Sequence, residues 1–238
     1  MLEEIVLPPP RLRGAMSVEE ALARRRSVKN LAERFFLEEP LDLGLVAQVL
    51  WAAQGVNDVE RGLRTVPSAG RSYPLRLYVV VGERSVKVSE EDYLAAGVYR
   101  YEPDAHTLVL VRDGDVREEL AGGLVTEYNR ELVTKAPVSL VIFAVFGRMK
   151  YRGERGARYV LFEAGHAAQN VYLQAVALGM GTLVLGAFED ERVRSSVGAE
   201  DGERPLYVLP IGLCRALHEV SGKDLESYFE LRRGRSGR

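Results

Sequence analysis

Residues 158–188 decide the fold, and they read RYVLFEAGHAAQNVYLQAVALGMGTLVLGAF. No charged side chain occurs from residue 164 to the end of this stretch. Polar side chains nevertheless recur along it at helical spacing: Glu163, His166, Asn170 and Gln174. The other faces are apolar and rich in alanine, which predicts a central helix over 158–178 that is buried by other elements. A Gly-Met-Gly turn follows, and then a predicted strand over 183–185.

The uncharged run 164–188 has the length of a membrane span, but its His, Asn and two Gln and its Gly-x-Gly break argue against one. The chain has 238 residues and a net charge of -2, so charge gives no reason to expect nucleic acid or an anionic membrane as partner. One cysteine, Cys214, excludes an internal disulfide. Together with an N-terminus that lacks a signal-peptide pattern, this single cysteine predicts a cytoplasmic protein.

The order of the apolar segments and of the turns between them predicts one α+β domain over 16–213. It also predicts an extended N-terminal arm over 1–15 and a fraying C-terminal tail over 214–238. Outside the central stretch, helical spacing predicts helices over 18–25, 41–54, 115–132 and 189–197. Strands are predicted by β-branched content over 75–81, 98–101, 107–111, 137–146 and 206–211. Polar or basic loops fill 57–72 and 148–158.

Three stretches could carry chemistry, and each also has an ordinary structural explanation. Residues 24–29 (RRRSVK) could clamp a phosphate through guanidinium, hydroxyl and ammonium groups, or could be a solvated basic helix end. Residues 64–70 (RTVPSAG) could let the backbone approach a ligand, or could be a plain turn. Residues 179–186 turn from helix to strand, which is the reverse of a dinucleotide-binding fingerprint.

The histidine and cysteine positions give no support to a metal site or to a hydrolase. Glu163 and His166 have the spacing of one half of a di-iron site, but the chain lacks a second such pair. We therefore expect His166 to make a hydrogen bond inside the core. Cys214 has no histidine at a recognisable spacing, and no GxSxG motif occurs.

Further motifs occur along the chain in a fixed order: Arg25-Arg26-Ser27-Val28-Lys29, LWAAQGV at 50–56, RTVPSAG at 64–70 with Tyr73-Pro74, GVYRY at 97–101, Lys150-Tyr151, EAGHAAQN at 163–170, LGMGT at 178–182 leading to Gly186, and RPLYVLPIG at 204–212. Taken together and in this order, these motifs resemble the nitroreductase family, in particular its SagB-type branch. The resemblance spans roughly residues 16–213.

The resemblance implies an α+β fold around a mostly antiparallel sheet packed by helices, and an intertwined homodimer with FMN at the subunit interface. It implies an FMN phosphate and ribityl site at Arg25, Arg26 and Ser27, with Lys29 near the N1–C2 edge of the ring. Pro67, Ser68, Ala69 and Gly70 of the other subunit would line the ring. Leu185 and Gly186 would pass beneath it, where a bulky side chain would block hydride transfer at N5.

Two features depart from simple nitroreductases. Arg71 stands where many have Asn, and Tyr73-Pro74-Leu75 replaces Gln-Pro-Trp, which puts ordinary substrate contacts in doubt. The basic residue that often completes the phosphate site from the C-terminus has three candidates: Arg215, Lys223 and Arg232.

The resemblance leaves three functions open. The first is an FMN oxidoreductase that passes hydride by a ping-pong route from NAD(P)H to a nitroaromatic or quinone-like acceptor. The second is a SagB-type dehydrogenase that oxidises thiazoline or oxazoline rings of a peptide, with Lys150 and Tyr151 as the proton-transfer pair. The third is a flavin-binding or scaffold subunit with little activity. The alternative for Lys150 and Tyr151 is an ordinary loop lysine beside a half-buried tyrosine.

Overall fold

A computed structural model describes residues 4–28 and 39–235 of the chain. The helices in this part are α1 (Val18–Arg24), α2 (Leu43–Gln54), α3 (Arg117–Gly122), α4 (Glu127–Lys135), α5 (Arg155–Ala177), α6 (Asp190–Val197) and α7 (Gly222–Arg235). Two 3-10 helices cover Ala69–Arg71 and Phe146–Arg152.

The strands of the described residues are β1 (Glu4–Val6), β2 (Leu41–Asp42), β3 (Val56–Asp58), β4 (Leu63–Arg64), β5 (Leu75–Val81), β6 (Val86–Lys87), β7 (Gly97–Glu102), β8 (Thr107–Asp113), β9 (Val138–Val145), β10 (Met180–Thr182) and β11 (Glu203–Leu213). Seven of these form one sheet in the order β1-β8-β7-β5-β9-β11-β10. All neighbours in it are antiparallel, which confirms the mostly antiparallel α+β fold. The small pair β2–β6 is parallel.

The central strand β5 shows why both faces of the sheet carry helices. Leu77 and Val79 point into a core shared with α2 and α5, whereas Tyr78 and Val80 point into a second core with α3, α4 and α6. Successive side chains of a strand alternate between faces, so a strand that is apolar at all but one position needs cover on both sides.

The helix predicted over 115–132 is wrong as a single element, because α3 and α4 are separate. The chain breaks after Gly122-Gly123, and α4 begins again at a new cap, where Thr126 Oγ1 accepts the Asn129 amide at 3.2 Å. By contrast, Ser17 caps α1 as the sequence predicts, with Oγ accepting the Glu20 amide at 3.1 Å.

The strand predicted over 183–185 is also wrong. The paired residues are those of β10, three positions earlier, where Met180 to Thr182 pair with β11. The chain then leaves the ladder and returns only at Leu185, which exchanges two backbone hydrogen bonds with Val208 at 2.8 and 3.0 Å. β-branched content alone does not say which residues find a neighbouring strand.

Two further predictions about burial and order fail. The tail is not a frayed segment throughout, because α7 occupies 222–235. The central helix is not buried on every side in the single chain, since Leu161 and Phe162 are 53% and 55% exposed and His166 is exposed as well. His166 therefore does not make the core hydrogen bond that its spacing predicted.

Among the described residues, no helix combines the length and the apolar character that crossing a membrane requires.

Candidate functional site

The first part of the candidate site forms around Tyr172, on the C-terminal half of α5. Tyr172 Oη accepts the Val184 amide at 2.9 Å and lies 2.8 Å from Ser27 Oγ. The guanidinium group of Arg25 lies over the tyrosine ring, 5.3 Å from its centroid. One phenol thus joins the Arg-Arg-Ser segment after α1 to the segment after β10, two stretches that the sequence analysis singled out separately.

We call this cluster the basic half-site: Arg25, Arg26, Ser27, Tyr172 and residues 184–186. Arg26 is exposed, and its Nη2 lies 2.5 Å from His218 Nε2, so the C-terminal segment reaches the cluster through that histidine. Lys29, which the sequence analysis assigns to the same motif, lies outside the described residues.

Two features in and beside the basic half-site provide space and a free hydrogen-bonding group for a ligand. Gly186 is exposed, and a Cβ built on it would meet no heavy atom within 4 Å. Neither packing nor a positive φ requires glycine there. The buried hydroxyl of Thr182 has no hydrogen-bond partner within the described part of the chain, although buried hydroxyls are normally paired. Leu185, by contrast, is a core residue and is 4% exposed.

The second part forms where the loop at 67–70 meets the 3-10 helix that carries Lys150 and Tyr151. Tyr151 Oη lies 2.6 Å from Ser72 Oγ and donates to the Ala69 carbonyl at 3.3 Å. Gly70 has φ +66, and a Cβ there would lie 2.5 Å from Tyr151 Oη, so a side chain at this position would displace the tyrosine. The structure therefore brings together two predicted groups that are about eighty residues apart in sequence.

We call this second cluster the loop half-site: Pro67, Ser68, Ala69, Gly70, Ser72, Lys150, Tyr151 and Arg152. Tyr151 is 61% exposed. Its pKa is lowered from the ordinary value by the hydrogen bond with Ser72 and, after that, by Arg152. Lys150 is exposed as well, and it forms no ion pair within the described residues.

A buried polar network behind the loop half-site fixes its position against α5. Gln54 donates to the Glu163 carboxylate at 3.0 Å, and Arg64 donates to the Gln54 carbonyl at 2.9 Å. Burial raises the pKa of Glu163, while hydrogen bonds with Ser68 and Gln54 and the charge of Arg64 act in the opposite direction. Ser68 in turn accepts the Tyr73 amide at 2.9 Å. The polar stripe of the central helix is thus mainly a docking surface for α2 and the loop.

The two half-sites lie on opposite faces of α5. The loop half-site is attached through Glu163 and the basic half-site through Tyr172, nine residues further along the helix. Nine residues correspond to about 13 Å of rise and roughly 900° of rotation, which places the two side chains about 180° apart. Within one chain, the body of the helix therefore separates the two clusters.

The cysteine that the sequence analysis considered, Cys214, is half-buried. Burial raises the pKa of Cys214 to about 11, so the thiol is protonated at neutral pH. Within the described residues, no cluster of His, Cys, Asp and Glu side chains could hold a metal ion.

Tyr172 is the functional candidate that the sequence analysis missed. Its signal was available, because it is a phenol on an otherwise apolar helix face, and a buried tyrosine hydroxyl normally has a partner. The identity of that partner was not available, since Ser27 lies 145 residues away in sequence.

A family model described as the nitroreductase family matches residues 22–213 of the chain. A protein of Methanocaldococcus jannaschii, provisionally named a nitroreductase, is 41% identical over 198 residues, which cover 83% of this chain and 91% of that protein. A solved structure from Ralstonia eutropha JMP134, also provisionally named a nitroreductase, is 29% identical with a TM-score of 0.71, and the match covers 90% of each chain.

Two more distant solved structures share the fold alone. The Escherichia coli microcin synthetase McbBCD complex, solved with a truncated precursor of microcin B17 bound, contains a chain that is 24% identical, with a TM-score of 0.65 and coverage of 76% of this chain and 68% of that one. A provisionally named nitroreductase from Desulfovibrio desulfuricans, solved in complex with FMN, is 18% identical, with a TM-score of 0.58 and coverage of 86% and 90%.

Proposed function

The chain belongs to the nitroreductase family, and we propose that it is an FMN-dependent oxidoreductase that reduces a nitroaromatic or quinone-like acceptor with electrons from NAD(P)H. Family membership supports the general class of oxidoreductase. One observation carries the finer proposal. Tyr172 joins the Arg-Arg-Ser segment, which could clamp a phosphate, to the segment that carries the open Gly186. The unit that binds FMN is residues 16–213, and the protein acts in the reducing cytoplasm.

The residues of the basic half-site fit FMN. Arg25, Arg26 and Ser27 carry the guanidinium and hydroxyl donors that hold a phosphate, and Lys29 completes that motif in sequence. The open face of Gly186 provides room for a flat ring, and the unpaired Thr182 hydroxyl provides a buried polar group for a ligand. A relative of the same fold is known with FMN bound, which supports the same cofactor here.

The opposite positions of the half-sites support a homodimer. If Pro67, Ser68, Ala69 and Gly70 line the same ring as Gly186, they must come from a second copy, because α5 separates the two clusters within one chain. The exposed stripe of α5 between the clusters contains Phe162, Gly165, His166 and Gln169, and a second copy would pack along it. Light scattering tests this directly, and a monomer that retains FMN would contradict it.

The bound flavin supplies the two-electron chemistry, and the protein groups set its surroundings. Arg25, Arg26 and Ser27 would hold the phosphate end in place. Gly186 has no side chain that would block access to a ring bound beside it. Tyr151 has a lowered pKa and an exposed hydroxyl, so it can hold or deliver a proton at the edge of the site.

A second function is favoured by the contact of Tyr151, the sequence neighbour of Lys150, with Ala69 and Ser72. In this alternative the protein is a SagB-type dehydrogenase that oxidises an azoline ring of a peptide, with Lys150 and Tyr151 transferring the proton. The fold relative in the microcin synthetase complex supports considering it. Loss of azoline oxidation in Lys150→Ala, with quinone reduction unchanged, would favour the peptide function. Azoline oxidation that persists in this variant would remove the proton-transfer role.

The role of Gly186 gives the sharpest test of the proposal. Gly186→Ala adds a methyl group in open space, so its thermal stability stays within about 0.5 kcal/mol of wild type. Gly186→Leu is expected to keep that stability and to lose FMN binding, or the reduction of bound FMN by NADPH, because the side chain fills the face of the ring. FMN content, anaerobic spectra and melting curves separate these effects. Full flavin reduction in Gly186→Leu would show that the ring does not lie over this residue.

A scaffold subunit with little activity predicts a different result. Such a protein would remain colourless after incubation with FMN, and neither glycine variant would change its properties.

A further inference from the structure

A group of cations lies in and beside the loop half-site. We call it the cationic rim: Arg71, Arg148, Lys150 and Arg152. All four side chains are exposed, and none forms an ion pair within residues 4–28 and 39–235. The protein as a whole has a net charge of -2, so the rim is a local feature and does not reflect a generally basic surface.

Elsewhere in the described part of the chain, ten arginines form ion pairs with carboxylates. Examples are Arg117 with Asp115 at 2.6 Å, Arg194 with Glu191 at 2.7 Å and Arg112 with Glu119 at 2.8 Å. The segment from 148 to 158 instead contains five cationic side chains and one carboxylate, Glu154. Cationic side chains therefore outnumber carboxylates by four in this segment.

Contacts fix the rim against the loop at 67–70. Arg148 donates to the Tyr73 carbonyl at 2.8 Å, and the Arg152 guanidinium lies over the Tyr151 ring, 4.8 Å from its centroid. A Cβ on Gly70 would lie 2.8 Å from Arg152 Nη2, so this guanidinium group directly borders the loop. Desolvation, and then the nearby charges of Arg76 and Arg64, lower the pKa of Arg148, whereas the charges of Glu203 and Glu102 raise it.

We propose that the cationic rim binds the anionic end of the substrate: a phosphate, sulfonate or carboxylate group that lies away from the reacting ring. This proposal rests on the proposed function, because it assumes that the loop half-site lines the flavin pocket. Guanidinium groups bind such anions with directed hydrogen bonds, and a concentration of one charge sign also raises the association rate of oppositely charged ligands. Among nicotinamide donors, the extra phosphate of NADPH makes it the better ligand.

The test uses a double variant and a matched control. Arg71→Asn with Arg152→Gln removes two rim charges and spares Arg148, which holds the loop through Tyr73. Arg84→Asn is the control, because Arg84 is also an exposed arginine with positive φ (49°, against 56° for Arg71) and lies beyond the opposite end of β5. Asparagine tolerates this backbone conformation.

The first measurement is equilibrium binding of NADP+ and NAD+, which requires no turnover. Wild type and Arg84→Asn should bind NADP+ more tightly than NAD+, and the double variant should lose about tenfold of that preference at low salt. The second measurement is kcat/KM for an anionic and a neutral quinone, anthraquinone-2-sulfonate and menadione. If only the preference for NADP+ over NAD+ is lost, the rim binds the electron donor. If only the preference for the anionic quinone over the neutral one is lost, the rim binds the electron acceptor.

Unchanged ratios in both measurements would overturn the proposal. The proposal would also be overturned if the double variant lost binding to anionic vesicles or heparin while these ratios stayed unchanged. That result would mean that the rim binds a macromolecular partner. FMN content and reduction by dithionite are recorded for every variant. A protein that binds no FMN contradicts the proposed function, whereas a flavoprotein with unchanged ratios contradicts only the role of the rim.

Discussion

Replacing Tyr172 by Phe removes one hydroxyl from the junction of the basic half-site and leaves the ring in place. The Val184 amide loses its acceptor, and Ser27 loses its partner. Tyr172 is 8% exposed, so water has little access to the vacated position. A buried donor left without an acceptor costs about 1–3 kcal/mol, and the half-buried Ser27 hydroxyl can turn towards solvent. We therefore expect the free energy of unfolding to fall by about 1–2 kcal/mol.

The same change is expected to weaken FMN binding, because Tyr172 orders both the phosphate segment and the segment that carries Gly186. If about half of the loss in free energy reappears in binding, the Kd for FMN rises by about two- to fivefold. Urea unfolding of the FMN-free protein and titration of FMN fluorescence measure the two effects. Tyr159→Phe is the matched control, since Tyr159 lies on the same helix and its hydroxyl has no hydrogen bond within the described residues.

Tyr159→Phe should stay within about 0.5 kcal/mol of wild type. The reasoning is refuted if Tyr172→Phe behaves like this control in both assays. A loss of stability without any change in FMN affinity would mean that Tyr172 supports only the fold.

Two further changes test the packing of the site. Gly181→Ala is expected to destabilise the fold by about 1–3 kcal/mol in urea, because the new methyl group would overlap Cys214 Sγ and lie 2.8 Å from a Val28 methyl. Part of that loss should return in Gly181→Ala with Cys214→Ala, and a fully additive double variant would argue against the overlap. Burial raises the pKa of Glu163 above 4.5, so the stability that depends on its protonated form is lost as pH rises through the raised pKa. Glu163→Gln should therefore be at least as stable as wild type at about pH 8, and the difference in their free energy of unfolding should shrink towards pH 4.5. A difference that grows on acidification would reverse the assigned sign.

Local sequence patterns predicted the elements whose stability comes from nearby residues or from simple burial. The β-branched content of residues 75–81 predicted the strand β5, and the Ser17–Glu20 spacing predicted the start of α1. The Lys150 and Tyr151 pair was singled out by motif, and the structure brings Tyr151 against the loop at 67–70.

What the sequence could not predict depends on partners far away along the chain. The strand after the Gly-Met-Gly turn was assigned to 183–185, whereas pairing with β11 selects Met180 to Thr182. Likewise, a helical spacing placed His166 with Glu163, although only the position of α2 decides that Glu163 is buried and His166 is not. Opposite placement of the two half-sites follows from the side chains that dock at each end of α5, and no local pattern encodes it.

The most direct test of the account is the flavin content of the purified protein and its response to NADPH under anaerobic conditions. We predict a yellow dimer with about one FMN per chain whose flavin absorbance bleaches on addition of NADPH and returns with a quinone acceptor. A folded protein that stays colourless after incubation with excess FMN would contradict the central claim, and so would bound FMN that neither NADPH nor NADH reduces.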